Sequence, residues 1–370
     1  MKIGIITIHF GVNYGSALQA YALSKYLKNN NNEVTLINYI PERYNFHNRN
    51  KKIIQNNGFI KGLIKLICSF PSRLIYDRIF NNFLKKNTPL SKKITDEESL
   101  KKLFGDYDVL ITGSDQIWNS DYNDGFNSVY FLSFANYNSV KIAYAASCGK
   151  TAFSNEEIYQ MKELISKMDG VSVRESSMIT LLADVGITNT VHVLDPVMLV
   201  GKEEWEFLIK STNRIIDEPY LVMYLLDEDT NETVDFACKL AHKMNLKTVF
   251  ISFGHLWSGD KRVDYYLIRN NPVDFVNLIY NANFVVTNSF HGMAFSITLN
   301  KQFIAFKRKA YNSRLDSLAK LFDIQKNLIN SSEINDININ TLQSINYEKV
   351  NEILDEMQQK SKDFLKKANI

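Results

Sequence analysis

The sequence predicts an α/β protein made of two doubly wound parallel-sheet domains with a cleft between them. β-Branched runs alternate with helix-like stretches along the chain, the pattern of parallel sheets covered by helices on both faces. The alternation restarts near residue 219, and 370 residues are about the length of two ordinary domains. In such sheets a ligand binds outside the carboxyl ends of the strands, so functional residues are expected in the loops that follow strands.

The first half of the chain begins with a strand, a turn-rich loop, a helix and a second strand. The helix is predicted from apolar residues that recur at helical spacing, Leu18, Leu23 and Leu27 among them. Short apolar runs predict the later strands. The predicted strands are 2–8, 33–39, 108–112, 140–145, 170–173 and 192–194, and the predicted helices are 16–28, 155–167 and 176–183.

The second half repeats this alternation and ends in a long amphipathic helix. Its predicted strands are 219–226, 247–252, 284–287 and 303–306, and its predicted helices are 230–244, 273–281, 293–299 and 346–367. We therefore expect an N-terminal α/β domain over 1–196 and a C-terminal α/β domain over 197–340. The terminal helix, within 341–370, could pack back on the first domain.

The composition narrows the class of protein. Hydrophobic residues make up 45% and charged residues 22%, as in globular chains, and the net charge of +3 is too balanced for a dedicated nucleic-acid binder. Three widely spaced cysteines without a CxxC pair exclude a disulfide scaffold and a thiolate zinc site. No apolar run approaches the ~18 residues of a membrane span, and the first residues read as a strand rather than a signal peptide. We expect a cytoplasmic protein.

Residues 42–93 interrupt the α/β pattern. They hold twelve Lys and Arg residues against Glu42 and Asp77, a net charge of +10 in a chain whose total is +3. Apolar residues at helical spacing lie between the charges. One interpretation is an inserted helical hairpin with a solvated basic face. The other is a surface helix within 59–86 that meets anionic lipid at the inner face of the membrane.

The loop after the first predicted strand contains Asn13, Tyr14, Gly15 and Ser16. Glycine lets a ligand approach the backbone closely, and the helix that follows offers free N–H groups to an anion or to hydroxyls. The loop has neither GxGxxG nor the GxxxxGK[ST] of a phosphate-binding loop, so dinucleotide and nucleoside triphosphate sites are weakly supported. The alternative is a tight turn in which Ser16 caps the helix.

The loop after the strand 108–112 contains Ser114, Asp115, Gln116 and Trp118. A tryptophan presents a flat face on which a sugar ring can stack, and Asp and Gln side chains bond hydroxyl groups in pairs. We expect a sugar-binding loop. The alternative is an Asx-turn beside a packed tryptophan.

Arg174 lies at the end of the strand 170–173 and beside the start of a helix. A guanidinium there is suited to holding a carboxylate or a phosphate through two parallel hydrogen bonds. From spacing alone, an ion pair with Glu175 or with another helix is the simpler interpretation.

Ser289, His291 and Gly292 lie between a buried strand and a helix. The amino end of that helix attracts anions, and a histidine in the cleft can donate or accept a proton near neutrality. We predict a functional histidine. Lys307 and Arg314 belong to a basic stretch downstream that could close on the same anion, unless it is a solvated loop.

No metal site is predicted. The histidines, which include His47 and His255, show no HExxH-type spacing. The acidic run 227–229 looks like the DxD motif of some glycosyltransferases, but Glu232 follows Asp229 by three residues, so a helix capping box explains it better.

Taken together, these loops resemble the polysaccharide pyruvyl transferase family. The match runs from residue 3 to about 325 and depends on five short motifs in the family's order. They are 13–23 (NYGSALQAYAL), 113–119 (GSDQIWN), 173–176 (VRES), 195–196 (DP) and 289–292 (SFHG). The family's Tyr-x-x-Lys element has Tyr311 and Arg314 here, with arginine in place of lysine.

The resemblance implies a fold similar to type B glycosyltransferases and the transfer of pyruvate from phosphoenolpyruvate to a sugar of a cell-surface polysaccharide, as a cyclic ketal. His291 and Arg174 would be catalytic and meet phosphoenolpyruvate. Ser289, Gly292, Arg314 and Lys307 would bind this donor, and the loops 13–16 and 114–118 would bind the saccharide acceptor, which could be lipid-linked. The implied chemistry requires no cofactor and no metal.

Two other functions stay open at this point. A nucleotide-sugar-dependent glycosyltransferase would use the same fold and the same helix end to bind a diphosphate. A non-catalytic sugar-binding protein would keep the Trp118 loop without a need for His291 or Arg174.

Overall fold

The computed structural model of the chain describes residues 1–44, 48, 54, 58–226, 230–252, 259–368 and 370. Its first sheet has six parallel strands in the order β2-β1-β3-β4-β5-β6. They are β1 (Lys2–Ile6), β2 (Glu33–Leu36), β3 (Val109–Thr112), β4 (Val140–Ala146), β5 (Gly170–Val173) and β6 (Val191–His192).

The second sheet is also six-stranded and parallel, in the order β12-β11-β10-β7-β8-β9. Its strands are β7 (Tyr220–Tyr224), β8 (Lys247–Ile251), β9 (Tyr265–Leu267), β10 (Phe284–Thr287), β11 (Phe303–Phe306) and β12 (Leu328–Ile329). The predicted fold class is thus confirmed. The sequence pattern predicts neither β9 nor β12, which have three and two residues.

Thirteen α-helices are described around these sheets. They are α1 (Tyr14–Asn29), α2 (Phe59–Asn87), α3 (Glu97–Phe104), α4 (Ser120–Asn123), α5 (Asn155–Ile165), α6 (Ser176–Asp184), α7 (Pro196–Leu199), α8 (Gly201–Ile209), α9 (Asn231–Lys243), α10 (Pro272–Tyr280), α11 (Phe290–Thr298), α12 (Ser313–Leu321) and α13 (Tyr347–Lys367). The stretch 196–218, which the sequence pattern indicates only as a connection, holds α7 and α8.

Helix α1 lies between the two sheets. The Asn13 side chain caps it by accepting a hydrogen bond from the Ser16 backbone N–H at 3.2 Å. The capping residue is therefore Asn13, three residues before the predicted Ser16. The helix is buried on most of its surface and contacts both α7 and α10. A helix in contact with both halves holds the floor of the cleft in place.

Aromatic residues close the base of the cleft. The ring of Tyr14 stacks on Phe275 at 4.7 Å, and its hydroxyl donates to the Asn270 carbonyl at 3.2 Å. Tyr14 begins α1 of the first half, whereas Asn270 and Phe275 belong to the second half of the chain. One continuous apolar core therefore reaches from β1 to β10.

The apolar run of the basic segment lies on one helix. Helix α2 continues without a turn from Phe59 to Asn87 and includes Pro71. The helical hairpin expected within 42–93 is therefore not formed by this run. A preceding arm would fall in 45–57, where only residues 48 and 54 are described.

The terminal helix α13 contacts the first sheet and its connections. Ser361 Oγ accepts a hydrogen bond from the Leu194 N–H at 3.0 Å, and the Phe364 ring lies 6.4 Å from Tyr144 on β4. These are contacts that a helix packed back on the first domain would make. The domain limits 1–196, 197–340 and 341–370 stay a prediction.

Candidate active site

The loops that follow the strands of both sheets meet at one place. The strand order reverses between β1 and β3 in the first sheet and between β7 and β10 in the second, and ligands of doubly wound folds bind at such points. Loops after β3, β5, β6 and β10 bring together Ser114, Arg174, Asp195 and His291. Both halves of the chain thus contribute to one polar cluster.

Arg174 is the centre of this cluster. Its guanidinium is buried, pairs with Asp195 Oδ2 through Nη1 and lies 3.3 Å from Ser114 Oγ, while Nη2 is 4.0 Å from Asp115 Oδ1. Burial disfavours the charged form, but the nearby carboxylates of Asp195, Glu175 and Asp115 outweigh burial and raise the pKa of Arg174. The side chain is a fixed cation.

Asp195 is held by three groups. Its Oδ1 caps α7 by accepting from the Val197 N–H at 3.0 Å, and its Oδ2 accepts from Ser114 Oγ at 2.9 Å and from Arg174. Burial alone would raise the pKa of this carboxyl, but the Arg174 charge outweighs burial and holds the pKa below its usual range. Asp195 is therefore an anion of fixed orientation.

His291 is the second residue of α11 and is buried beside Asp195. Its Nε2 lies 3.7 Å from Asp195 Oδ2, which is close but too long for a hydrogen bond. On its other side the ring packs directly on Gly15, where any Cβ would overlap Nδ1 and Cγ. The start of α1 therefore requires glycine because the imidazole occupies the place of a side chain.

Two further carboxylates border the cluster. Asp115 follows β3 with a φ of +67°, and its Oδ2 accepts from Ser16 Oγ at 2.5 Å. Glu175 accepts through Oε1 from Ser147 Oγ and from the Gly149 N–H at 3.2 Å. These bonds orient both carboxylates around the Arg174 guanidinium.

The Phe290 ring lies close to two guanidinium groups. Its ring centroid is 4.2 Å from the Arg174 Cζ and 5.9 Å from the Arg314 Cζ. Burial and the neighbouring Arg174 charge lower the pKa of Arg314 to about 10, so this side chain is still a cation at neutral pH. Two cations are thus buried close together.

Buried polar atoms without a hydrogen-bond partner gather here. The described part of the chain has seven such side-chain atoms, and five belong to this cluster: Arg174 Nε and Nη2, Glu175 Oε2, His291 Nε2 and Arg314 Nε. A buried polar atom without a partner costs roughly 1–3 kcal/mol, so such atoms are uncommon outside functional sites. Four of the five can donate a hydrogen bond, as an anionic ligand requires.

The predicted donor residues divide into two groups. Arg174, His291 and Arg314 lie in the cluster, and Ser289 and Gly292 support it. Ser289 precedes α11, and Gly292 packs on Thr287 at the end of β10, where a Cβ would overlap the threonine hydroxyl. Lys307, on the segment after β11, pairs instead with Asp316 at 2.7 Å.

The predicted stacking role of Trp118 does not agree with the structure. The indole is fully buried, stacks on Phe131 at 5.3 Å and donates to the Tyr130 carbonyl at 3.3 Å. The alternative interpretation, an Asx-turn beside a packed tryptophan, describes it: the Asn119 side chain accepts from the Asp121 N–H at 3.0 Å. No face of the ring is open to a sugar.

The remaining predicted acceptor residues are divided between packing and the cluster. Gly15, Ser16, Ser114 and Asp115 lie in or beside the cluster. Tyr14 packs in the base of the cleft, Asn13 caps α1, and Gln116 is buried, with Oε1 accepting from Asn119 at 2.9 Å. For these last three the contacts are those of a scaffold.

Sequence reasoning missed two of the central carboxylates as site residues. The sequence pattern marks Asp195 only as part of a motif and Glu175 only as an ion-pair partner of Arg174. Each directly follows, or lies close behind, one of the strands β5 and β6. The end-of-strand rule applied to these two strands would have selected both carboxylates.

A small cavity of about 260 Å³ adjoins the cluster. It is lined by Asp121, Lys150 and Tyr311 together with Gly149 and Ser313. Two bonds join the halves of the chain across it: Tyr311 Oη donates to Asp121 Oδ2 at 3.2 Å, and Ser313 Oγ donates to the Gly149 carbonyl at 3.0 Å. These contacts form the mouth of the cleft.

The described ranges contain no group of three or more His, Cys, Asp or Glu side chains arranged to hold a metal ion. The acidic run 227–229, His47 and His255 lie outside the described residues. The absence of a metal and of a cofactor stays a prediction.

A comparison with models of known protein families matches residues 13–310, most of the chain, to the family described as polysaccharide pyruvyl transferase. The chain belongs to the polysaccharide pyruvyl transferase family. At the level of the family, this membership identifies the chain as a transferase of pyruvyl groups. No curated protein matches its sequence significantly.

Solved structures show the same architecture. The UDP-GlcNAc 2-epimerase from Methanocaldococcus jannaschii aligns with a TM-score of 0.53 and 12% identity over 97% of this chain and 93% of that one. Its complex with UDP-GlcNAc and UDP gives 0.53 and 13% over the same shares. At these identities the likeness shows the fold alone, and the predicted fold similar to type B glycosyltransferases is confirmed.

A third similar structure is the Escherichia coli heptosyltransferase WaaC with ADP, at a TM-score of 0.43 and 8% identity over 96% of this chain and 99% of that chain.

Within the residues that the structure describes, no helix is long and apolar enough to span a bilayer.

Proposed function

We propose that the protein moves pyruvate from phosphoenolpyruvate to a saccharide as a cyclic ketal, with the cluster around Arg174 and His291 as its catalytic centre. The supporting observation is the convergence of unpaired buried donors from Arg174, Arg314 and His291 on one place at the strand ends of both sheets. The family membership supports the pyruvyl transfer, and the donor set supports an anionic donor substrate.

The two guanidinium groups suit the donor. Phosphoenolpyruvate carries a carboxylate and a phosphate, and Arg binds both groups through paired, charge-assisted hydrogen bonds. Arg174 is oriented by Asp195 through Nη1, which leaves its Nε and Nη2 for a ligand. Arg314 approaches the same place from α12, on the other half of the chain.

His291 would act first as a general acid. Its imidazolium gives a proton to C3 of phosphoenolpyruvate, which becomes a methyl group, and the C2–C3 bond becomes single. The π electrons form the new C–H bond and C2 becomes electrophilic. The Asp195 carboxylate, 3.7 Å from Nε2, stabilises the imidazolium before that step. Asp195 and Arg174 thus act on the histidine and on the donor at the same time.

The acceptor would then close the ketal. One hydroxyl of the sugar attacks C2 and gives its proton to the neutral His291, and a second hydroxyl of the same sugar displaces the phosphate. The second hydroxyl's proton leaves with the phosphate. A C–H bond at C3, two C–O bonds from C2 to the sugar and one O–H bond on phosphate are formed. The π bond between C2 and C3, the C–O bond to phosphate and two sugar O–H bonds are broken, so the products are a ketal and inorganic phosphate.

Substrates would enter by an opening of the mouth. The cavity beside Arg174, Asp195 and Phe290 measures about 10 Å³, room for about one water molecule. The contact between α6 and α12, in which Ser317 Oγ accepts from the Ser176 N–H at 3.0 Å, closes over it. We infer that α12 separates from α6 when the donor binds, and that the cavity lined by Lys150 and Tyr311 receives the sugar.

The deciding experiment measures phosphate release from phosphoenolpyruvate by the purified chain with a panel of saccharide acceptors, including lipid-linked ones. We expect release that depends on the acceptor and a product heavier by one pyruvate ketal in mass spectrometry. Thermal unfolding is followed in parallel with phosphoenolpyruvate and with nucleotide sugars.

Two results would contradict the proposal. A nucleotide sugar that raises the unfolding temperature where phosphoenolpyruvate does not would indicate a glycosyltransferase. Saccharide binding without phosphate release for any acceptor would indicate a non-catalytic sugar-binding protein.

A further inference from the structure

Helix α2 has one face on the protein and another in solvent. From Ser72 onward, residues at helical spacing are buried against the body of the molecule: Ser72, Tyr76, Phe80, Phe83 and Leu84. Tyr76 fixes the helix to the second half of the chain, because its hydroxyl accepts from the Arg269 N–H at 3.0 Å. The helix is therefore held firmly by its second half, and its opposite face is presented outward.

The outward face carries a row of exposed residues that we call the outward ridge. Steps of three or four residues place its members on one line along the helix. They are Leu63, Ile67, Phe70, Leu74, Arg78, Asn81 and Lys85, all exposed. The ridge is apolar over its first four positions and polar or basic over its last three.

The apolar part of the ridge is unusual for a surface. Leu63, Ile67 and Leu74 are 41%, 64% and 48% exposed, and Ile64 beside them is 58% exposed. The described part of the chain has fourteen exposed large apolar side chains. Five of them, Phe70 included, lie on one twelve-residue stretch of α2. Exposed apolar residues scattered singly need no explanation, but a contiguous row marks an interaction surface.

The charge around the ridge selects the partner. Helix α2 itself holds six Lys and Arg residues against the single acidic residue Asp77. Its Lys61, Arg78, Lys85 and Lys86 are exposed, so the apolar row lies on a basic helix. A second copy of the chain would bring two such segments together, and like charges repel. An anionic surface meets both properties, because it attracts the cations and accepts the apolar row.

We propose that the outward ridge of α2 docks on an anionic lipid surface. Leu63, Ile67, Phe70 and Leu74 enter the boundary between headgroups and acyl chains, and Arg78 and Lys85 contact the phosphates, as in interfacial amphipathic helices. The helix lies on the bilayer and does not cross it. The surface is distant in sequence from the catalytic cluster and does not depend on the proposed reaction.

Co-sedimentation of the full chain with lipid vesicles tests this proposal. We expect binding to vesicles of phosphatidylcholine mixed with phosphatidylglycerol, little binding to phosphatidylcholine alone, and release at high salt, because salt screens the charges. Arg78→Gln with Lys85→Gln should weaken binding about fivefold for each charge removed.

The apolar part is tested by Leu63→Ser with Ile67→Ser, which should lower the partition coefficient roughly 10–100-fold. The matched control is Tyr137→Ser with Tyr159→Ser, two exposed apolar side chains away from α2, at 92% and 71% exposure. The control should bind like the parent chain. Circular dichroism checks that each variant is folded.

Three results would overturn the proposal. The parent chain could stay in the supernatant with anionic vesicles at low salt. The ridge variants could bind as well as the parent, which would move the lipid contact elsewhere. Light scattering could show a dimer that the ridge variants dissociate, in which case a second copy covers the ridge.

Discussion

The catalytic cluster and the outward ridge of α2 depart from the usual distribution of side chains in opposite directions. The cluster buries charged groups, Arg174, Asp195 and His291 among them, whereas the ridge exposes apolar groups such as Ile67 to water. Buried polar groups and exposed apolar rows are the two departures that carry information, because each has a cost for stability. Ligands of two kinds are therefore expected, an anionic small molecule in the interior and an anionic lipid surface outside.

The largest expected effect comes from removing the proposed acid in the cluster. His291→Ala should lower turnover, measured as phosphate release, roughly 10²–10⁴-fold while the protein stays folded. The matched control is His242→Ala on the surface of α9, which should keep full turnover. Turnover of His291→Ala within about twofold of the parent would remove His291 from the mechanism.

The next effect concerns the balance of charge inside the cluster. Asp195→Asn keeps the shape but leaves the Arg174 cation buried without its carboxylate, which should lower the free energy of unfolding by roughly 3–5 kcal/mol. Urea denaturation measures the loss. A loss below about 1 kcal/mol would mean that solvent reaches Arg174 and that the cluster is not a sealed interior.

The same variant predicts a pH dependence. The pKa of Asp195 is held below its usual range in the folded protein, because the Arg174 charge outweighs the effect of burial. Its contribution to stability is therefore full above the ordinary aspartate pKa of roughly 4 and is lost as the pH falls towards the lowered value. The stability difference between the parent and Asp195→Asn should shrink as the pH falls below about 4.

The rule that ligands bind beyond the carboxyl ends of strands explains which parts of the site the sequence predicts. Arg174 and His291 follow strands that apolar runs reveal, so the sequence alone predicts each of them at the carboxyl edge of its own sheet, facing the cleft between the two domains. The architecture was predictable for the same reason, since alternating runs specify parallel sheets. Even here the sequence left Arg174 as an ordinary ion-pair partner, because its pairing with Asp195 depends on which strands are neighbours.

The rest depends on packing that no local pattern encodes. Trp118 reads as an exposed platform because its loop is polar, yet the 3₁₀ helix Ser128–Phe131 covers it with Phe131. The contact of Gly15 with His291 joins residues far apart in the chain. For α2 the sequence shows apolar residues among the charges, but only the packing of the helix decides which of them stay exposed.

A smaller effect tests the contact between Gly15 and His291. Gly15→Ala should displace the His291 ring, because a methyl group would overlap Nδ1, and a shift near 1 Å can lower turnover about 10–100-fold. Gly15 lies within α1, where alanine favours the helix, so the backbone itself is not disturbed. Gly259→Ala, where a Cβ meets nothing within 4 Å, is the control. Equal turnover in both variants would show that the ring has room to move.

The smallest effect is expected on the ridge, where it can be set against a buried position. Ile67→Ala removes a side chain that is 64% exposed, so the free energy of unfolding should change by no more than about 0.5 kcal/mol. The same substitution at Ile111, fully buried on β3, should cost roughly 2–5 kcal/mol. Urea denaturation of both variants, without lipid, measures these changes in the free energy of unfolding.

A loss of about 2 kcal/mol or more at Ile67, as at a buried site, would mean that part of the protein or a second copy covers the ridge in solution. A negligible change, together with the loss of vesicle binding, would assign the apolar row to a partner rather than to folding.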